Sequence, residues 1–369
     1  MKQALTAGVA LLLTTSLAHA GGLDRSGQSI TVLFEEGTYG ELSFGLVTPS
    51  VDGTLASPLG DLGSGNVGVE YFQVGAAFKN DLNAQISYAV ILDQPFGANV
   101  DYGDADDFYP LGNSEAEFRS TGLTVLGRYK LDDNFSVHGG IRAVTIDADS
   151  FVSVQNGNPA ESFVHDASYD SDTAFAGVIG AAYERPEIAL RVAVTYTSEM
   201  EFSHDTDVEL TTALGATEAT GETEYTIPQS INLDFQTGVA ADTLVFGSIR
   251  WVEWTTTEID SPLYPPNPII SYDDDVLTYN LGVGRRFTDE FSASIAVGYE
   301  KANGGTADEL APTDGNTSLS VGGAYTLTSG VELSGGVRYI AVGDATTGIG
   351  AEFDDNSAIA AGFKVGFNF

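Results

Sequence analysis

Long segments in which apolar residues alternate with small or polar residues restrict the fold of this chain more than any other feature. A period of two sends successive side chains to opposite faces of a β-strand, so that one face is apolar and the other is polar. The C-terminal segment 359–369 places Ile359, Phe363, Val365, Phe367 and Phe369 on one face. The same alternation occurs in Leu82–Leu92, Ile231–Val239, Phe291–Glu300 and Val331–Ile340. These runs reach roughly the 9–11 residues that a membrane-crossing strand needs, so they predict a membrane β-barrel.

Short and long connections alternate along the chain between these strands. The short ones are at 79–81, 132–134, 185–187, 240–242, 288–290 and 328–330. The long ones are at 49–66, 94–115, 148–170, 199–223, 258–272, 302–315 and 342–356. Together they join fourteen strands, and an even number of strands puts both termini on one side of the membrane. The sequence therefore predicts an all-β fold, a fourteen-stranded antiparallel transmembrane barrel with short periplasmic turns and long outer loops.

The first twenty residues are typical of a secretory signal peptide. Lys2 supplies the positive charge, residues 7–17 form a short apolar region, and Ala18-His19-Ala20 is a small-x-small cleavage site. The apolar region is too short for a transmembrane helix, which needs about 20 apolar residues. We therefore expect a signal peptide at residues 1–20, a short N-terminal segment at 21–38, and a barrel at 39–369 in the bacterial outer membrane.

Charge and composition exclude several classes of function. The chain has no Cys, and its 52 Asp and Glu against 15 Lys and Arg give a net charge of -37. Disulfides and thiolate metal sites are therefore excluded, and a basic surface for nucleic acid is absent. Most of the carboxylates fall in the long connections, where they keep the surface solvated. Bridging of these carboxylates to lipopolysaccharide by divalent cations is the alternative, although no specific metal site and no cofactor are predicted.

Catalysis is not predicted from the histidines of the chain. His165 and His204 each have an Asp as the next residue and a Ser close by. A Ser-His-Asp triad is defined by its geometry in space, and neighbours in sequence do not establish it. Segments rich in Ser and Asp produce such pairs by chance, so we expect a protein that is not an enzyme.

Several stretches, in order along most of the chain, resemble the FadL/TodX-type outer-membrane transport proteins. They are Asp93-Gln-Pro-Phe-Gly97, residues 115–144, Ile227-Pro-Gln-Ser-Ile-Asn-Leu233, Trp251-Val-Glu-Trp254, residues 279–299 and the C-terminal strand. The resemblance implies uptake of long-chain fatty acids or other hydrophobic small molecules by a monomeric barrel. It also implies an N-terminal hatch in the lumen and a kink near the third strand that opens a lateral path. The segment at 21–38 is shorter than the family pattern and lacks its Asn-Pro-Ala element; a general diffusion porin is the alternative function.

The resemblance also directs attention to particular residues. Candidates for ligand contact are Ile30, Val32, Leu33 and Phe34 in the hatch, Pro95 and Phe96 at the kink, and Arg119 and Arg142 for a carboxylate head group. Packing of the plug against the wall, and a ladder of ion pairs in the lumen, are the alternative roles. By alternation, Arg128, Arg142, Arg191, Arg338 and Lys364 point into the lumen. Trp251 and Trp254 are expected in the aromatic girdles at the membrane interfaces. Phe369 is expected to be recognised by the barrel-assembly machinery.

Overall fold

Fourteen antiparallel strands form the wall of the barrel in a computed structural model that describes residues 22–58, 60–155, 157–265 and 268–369. The predicted signal peptide lies outside the described residues. The strands are β1 (Tyr39–Ser50), β2 (Tyr71–Asp81), β3 (Ile86–Asp93 and Gly97–Asp101), β4 (Glu115–Lys130), β5 (Phe135–Val154), β6 (Phe163–Arg185), β7 (Leu190–Thr197 and Met200–Thr212), β8 (Gly215–Ile227 and Ser230–Ala240), β9 (Thr243–Val252), β10 (Val276–Arg286), β11 (Phe291–Glu300), β12 (Asn316–Thr326), β13 (Val331–Val342) and β14 (Ser357–Asn368). Short interruptions divide β3, β7 and β8.

The barrel closes where the first and last strands meet. β1 pairs with β14 from Tyr39 opposite Asn368 to Ser50 opposite Ser357, and its other edge pairs with β2. Neighbouring strands then pair around the wall in chain order. The fourteen-stranded antiparallel barrel predicted from the alternation is confirmed. No helix in the described part of the chain is long and apolar enough to span a membrane.

The two faces of the wall differ as the alternation predicts. Phe72, Phe175 and Ile179 are among the large apolar side chains exposed on the outer face, where lipid would cover them. Arg142 and Arg338 are among the charged side chains buried on the inner face. The inner face is therefore polar, and a chain segment that lies in the lumen is surrounded by charged side chains of the wall.

Long and short connections lie at opposite ends of the barrel, which we name the long-loop end and the short-turn end. Five of the six predicted short connections lie where neighbouring strands join; the sixth is misplaced, because 79–81 still belong to β2 and the turn is at 82–85. Two of the predicted long loops are also wrong. The region 148–170 is mostly the continuation of β5 and β6, and 199–223 is a hairpin of β7 and β8. The reason lies in which residues face outward: Asp205 and Glu209 are exposed, whereas His204 and Val208 are buried. Beyond the hydrocarbon layer an outer face needs no apolar residues, so an acidic strand resembles a loop in sequence.

The largest apolar core lies inside the barrel at its long-loop end. We call this end the upper end and the short-turn end the lower end. A five-stranded sheet covers this end; its strands are Asp52–Leu55, Leu62–Asn66, Thr306–Ala307, Ala345–Thr347 and Glu352–Phe353. Trp254 is fully buried in this core, so its expected place in an interfacial girdle is wrong. The Trp254 ring packs edge-on to Phe96 with 6.4 Å between centroids. The kink in β3 is therefore held by the core of the loop end.

Candidate ligand pathway through the barrel

The N-terminal segment, residues 22–38, runs through the lumen from the long-loop end to the short-turn end. Gly22 lies against the buried Trp254 ring, whereas the backbone nitrogen of Gly37 donates to Asp81 Oδ2 over 2.9 Å. A single 3-10 turn, Thr31–Phe34, is its only regular element among the described residues. The lumen thus contains a narrow plug made by a short piece of chain.

The lower part of this segment is apolar and sits on the inner wall. Ile30, Val32, Leu33 and Phe34 are all buried, in one cluster with wall residues that include Ile91. The Phe34 ring lies 4.6 Å from the guanidinium of Arg128 and 4.8 Å from that of Arg191. Cations favour the face of an aromatic ring, so these two lumen arginines hold the end of the turn.

The upper part of the segment is fixed by a buried ion pair. Asp24 accepts hydrogen bonds from Arg250 Nε at 2.8 Å and from Arg250 Nη2 at 2.9 Å, and both residues are buried. Arg250 Nη1 donates to Asn232 Oδ1 at 2.7 Å, and Asn232 Nδ2 donates to the carbonyl of Gly27 at 2.8 Å. A bidentate arginine–carboxylate pair is both strong and directional. It connects the segment to β9 and, through Asn232, to β8.

The kink in β3 at residues 94–96 is bonded to the same N-terminal segment. Arg25 N donates to the carbonyl of Pro95 at 2.8 Å, and Gly97 N donates to the carbonyl of Leu23 at 2.8 Å. Proline has no N–H for a ladder, which explains why the strand is interrupted here. Phe96 is buried, and its backbone nitrogen donates to Ser120 Oγ at 2.8 Å. The plug and the kink therefore form one hydrogen-bonded unit.

The kink leaves a gap in the wall between β2 and β3. The two strands pair only from Ala76 opposite Leu92 to Asp81 opposite Ser87. Above Ala76, the side chain of Gln94 takes over, and its Oε1 accepts a hydrogen bond from Val74 N at 3.0 Å. A side chain thus takes the place of strand pairing here, as the side chains of Ser198 and Asp172 do where β6 and β7 are unpaired.

Two cavities lie on either side of the upper N-terminal segment. The lower cavity, about 280 Å³, extends across the lumen from polar residues such as Asp234 and Glu300 to the gap. On the gap side it reaches the lipid-facing residues Val74 and Leu92. Ser26 and Gly27 are part of its lining.

The upper cavity, about 70 Å³, lies inside the long-loop end. Its apolar lining comes from strands, loops and the N-terminal segment, and includes Leu23, Val100, Phe118, Ile259, Ile269 and Leu310. Tyr169, His204 and Tyr225 line one side of it. Since Leu23 lines the upper cavity and Ser26 the lower one, a few residues of the N-terminal segment separate the two.

The two candidate arginines lie in different places. Arg142 is buried on the inner face, where its Nε donates to Thr124 Oγ1 at 2.8 Å. Arg119 lies on the outer face, 45% exposed, and forms ion pairs with Glu117, Asp147 and Asp149. Arg119 is not among the residues that line either cavity.

The residues of the upper cavity were not found from the sequence. Tyr169 and His204 lie in the stretches 148–170 and 199–223, which were interpreted as loops, and Tyr225 lies just beyond the second. One signal in the sequence could have indicated a strand here. Between residues 201 and 209, which include four carboxylates, every second residue points inward: Phe202, His204, Thr206 and Val208.

Comparison with known proteins shows the family. The sequence profile described as "Outer membrane protein transport protein (OMPP1/FadL/TodX)" matches residues 40–365. The chain belongs to this family. A FadL/TodX-type barrel is an outer-membrane transporter of hydrophobic compounds, which confirms the predicted location and favours transport over a general diffusion porin. The family is one of transporters rather than of enzymes.

Solved structures of FadL/TodX-type proteins share this fold at low sequence identity. A FadL homologue of Pseudomonas aeruginosa is 12% identical with a TM-score of 0.76, and the match covers 100% of each chain. The toluene transporter TodX of Pseudomonas putida is 10% identical with a TM-score of 0.66, over 95% of this chain and 96% of its own. The toluene transporter TbuX of Ralstonia pickettii is 12% identical with a TM-score of 0.66, over 91% and 90%. A search of curated proteins finds no significant sequence match.

Proposed function

We propose that this barrel takes up hydrophobic small molecules, such as long-chain fatty acids or hydrocarbons, by passive binding and lateral release. The observation that carries the proposal is the arrangement of the two cavities. The upper one is apolar and lies under the outer loops, and the lower one reaches lipid-facing side chains at the gap between β2 and β3. The N-terminal segment lies between them.

Capture takes place in the upper cavity. Transfer of an alkyl chain from water into apolar surroundings is favourable by about 0.8 kcal/mol per CH₂. Side chains such as Val100, Ile259 and Leu310 provide those surroundings. A water-filled pore of the porin type offers no such gain.

Release takes place through the wall. Asp234, Arg250, Glu300 and Lys364 make much of the lower cavity polar, so an apolar ligand gains little by remaining there. At the gap the same cavity meets Val74 and Leu92, which face the hydrocarbon of the membrane. The membrane is then the most favourable place for the ligand, and no energy source is required.

The N-terminal segment acts as the gate in this scheme. Pro95 and Phe96 matter because the kink is bonded to Leu23 and Arg25, so movement of the segment changes the gap. Ile30, Leu33 and Phe34 anchor its lower end, and Val32 also lines the lower cavity. Arg142 on the inner wall is retained as a contact for a polar head group; Arg119 lies on the outer face, does not line either cavity, and is left out of the proposed path.

The setting of the barrel is part of the same proposal. We infer a monomer whose acidic long-loop end faces lipopolysaccharide. Phe369, whose side chain is 83% exposed at the short-turn end, is available to the barrel-assembly machinery.

Blocking the gap tests the proposal. Ser43 on β1 lines the lower cavity beside Gly75, and Ser248 lines it from β9, on the far side of the barrel. Ser43→Trp should strongly reduce uptake of a labelled hydrophobic ligand into cells while leaving binding to the purified protein intact. Ser248→Trp adds the same bulk away from the gap and serves as the matched control. Equal uptake by both variants would exclude lateral release; large, stable ion conductance in planar bilayers without any ligand binding would identify a porin.

A further inference from the structure

On the polar side of the upper cavity, two tyrosine hydroxyl groups already donate their protons to other residues, so their oxygens can only accept hydrogen bonds. His204 Nδ1 lies 2.6 Å from the carbonyl oxygen of Asp170. A carbonyl only accepts, so Nδ1 carries the proton of the neutral ring and Nε2 is left as an acceptor. Nε2 lies 2.9 Å from the hydroxyl of Tyr225, which must therefore donate to it. The Tyr225 oxygen can then only accept a further hydrogen bond.

Tyr169 is arranged in the same way. Its hydroxyl donates to Ser261 Oγ at 2.8 Å, so its oxygen also remains an acceptor. The other hydroxyl near it, Ser150, lies 3.4 Å away, at the outer limit of a hydrogen bond. Two phenolic oxygens thus belong to residues that line an otherwise apolar cavity.

The cavity offers no cation to a ligand. Neither Lys nor Arg is found among the described residues that line it. Glu117 and Asp149 also belong to its lining, but their carboxylates are exposed on the outer face and paired there with Arg119. A ligand carboxylate brought into this cavity would meet hydrogen-bond acceptors and no cation to pair with.

We propose that the upper cavity selects neutral hydrophobic ligands that carry a hydroxyl, phenols or alcohols, over plain hydrocarbons and carboxylates of the same size. This selection rests on the proposed function, since it names the ligand class of the same capture site. A purely apolar cavity would favour the hydrocarbon, because a hydroxyl that enters without a partner loses its hydrogen bonds to water. Here Tyr225 and Tyr169 accept the hydroxyl proton and offset that loss.

The size of the cavity fits a site that opens for its ligand. An apolar cavity of about 150 Å³ holds one benzene ring, which is roughly twice the 70 Å³ seen here. Ile269 and Leu310 come from loops rather than from the barrel wall, and we propose that these loops move to admit the ligand. The hydrogen-bonding wall lies on β6, β7 and β8 and stays in place.

Three probes that share one skeleton test the selection: 4-ethylphenol, ethylbenzene and 4-ethylbenzoate. Binding is measured by calorimetry at neutral pH on the full-length protein in lipid nanodiscs, with empty nanodiscs subtracted. We expect 4-ethylphenol to bind at least as tightly as ethylbenzene, and 4-ethylbenzoate to bind weakest. Tyr225→Phe, alone and with Tyr169→Phe, should weaken 4-ethylphenol by about threefold to tenfold, the range of one neutral hydrogen bond, and leave ethylbenzene unchanged. Tyr339→Phe, on the outer face, is the matched control and should change neither.

The outcomes separate the selection from the function on which it rests. The selection would be overturned if ethylbenzene bound more tightly than 4-ethylphenol, or if 4-ethylbenzoate bound more tightly than either of the other two. Both results would leave the proposed function standing. An unchanged ratio of 4-ethylphenol to ethylbenzene affinity in the double variant would overturn it equally. If none of the three probes binds the wild-type protein, the selection is wrong; the proposed function is wrong as well only if a long-chain fatty acid also fails to bind.

Discussion

Asp24→Asn should release the N-terminal segment from the barrel wall. Asp24 receives two hydrogen bonds from Arg250, and the pair is buried in the lumen. The substitution keeps the shape of the side chain but removes its charge. Arg250 is then left as a buried cation whose only other described hydrogen-bond partner is Asn232.

The size of the effect follows from the burial of the pair. Breaking a buried ion pair by removing one partner costs about 3–5 kcal/mol. Asparagine retains one acceptor oxygen, so the lower end, about 3 kcal/mol, applies. Each 1.4 kcal/mol is a tenfold change in an equilibrium constant, so opening of the segment should become roughly 100-fold more frequent.

Hydrogen exchange measured by mass spectrometry on the protein in nanodiscs checks this expectation. Amides in residues 23–34 should lose about two orders of magnitude of protection, whereas amides of β11 and β12 should not change. Glu41→Gln is the control, because it removes a lumen ion pair, to Lys364 at 3.0 Å, that joins wall strands only. Unchanged protection of residues 23–34 in Asp24→Asn would refute the view that this pair holds the segment.

Three further changes bear on the same path. Gly22→Ala should loosen the upper end of the segment, because Gly22 has φ +67 and a Cβ there would lie 2.4 Å from the buried Trp254 ring; normal exchange at residues 23–25 would contradict this. Leu310→Ala should tighten binding of bulkier aromatic ligands by enlarging the upper cavity, as calorimetry with a ligand series can show; weaker binding would contradict the placement of the site. Burial raises the pKa of Glu35 to about 7, against the opposing effect of Lys364 and Arg191. Docking of the segment should therefore be strongest at low pH and weaken as the pH rises from about 4.5 through 7, and Glu35→Gln should remove that dependence in the exchange rates.

The barrel was predictable because its membrane-facing part obeys one physical rule. Lipid requires apolar outward residues and a closed ladder, and the alternation at residues 291–300 and 359–369 shows both requirements directly. The inward direction of Arg142 and Arg338 followed from the same parity. The first strand begins at Tyr39, the residue at which the alternation was expected to begin.

The site itself was predictable only in part. Pro95 marked the kink, since proline interrupts a ladder wherever it occurs. The contacts of the segment with the wall were not predictable, because Asp24 and Arg250 are separated by 226 positions and no local pattern relates them. The upper cavity was missed because strands above the membrane have carboxylates on the outside, as Asp205 and Glu209 do.

The gap between β2 and β3 also determines where the barrel is mechanically weakest. The joint between β1 and β14, the first and last strands, is paired along its full length, whereas β2 and β3 are paired only below Ala76. Under tension in the plane of the membrane, or during heating, we expect the wall to part first between the second and third strands. The joint between β1 and β14 would separate later. The order in which the strands separate is thus set by the gap that we propose as the exit for cargo, and a mutation that widens this gap should also lower the temperature at which the barrel opens.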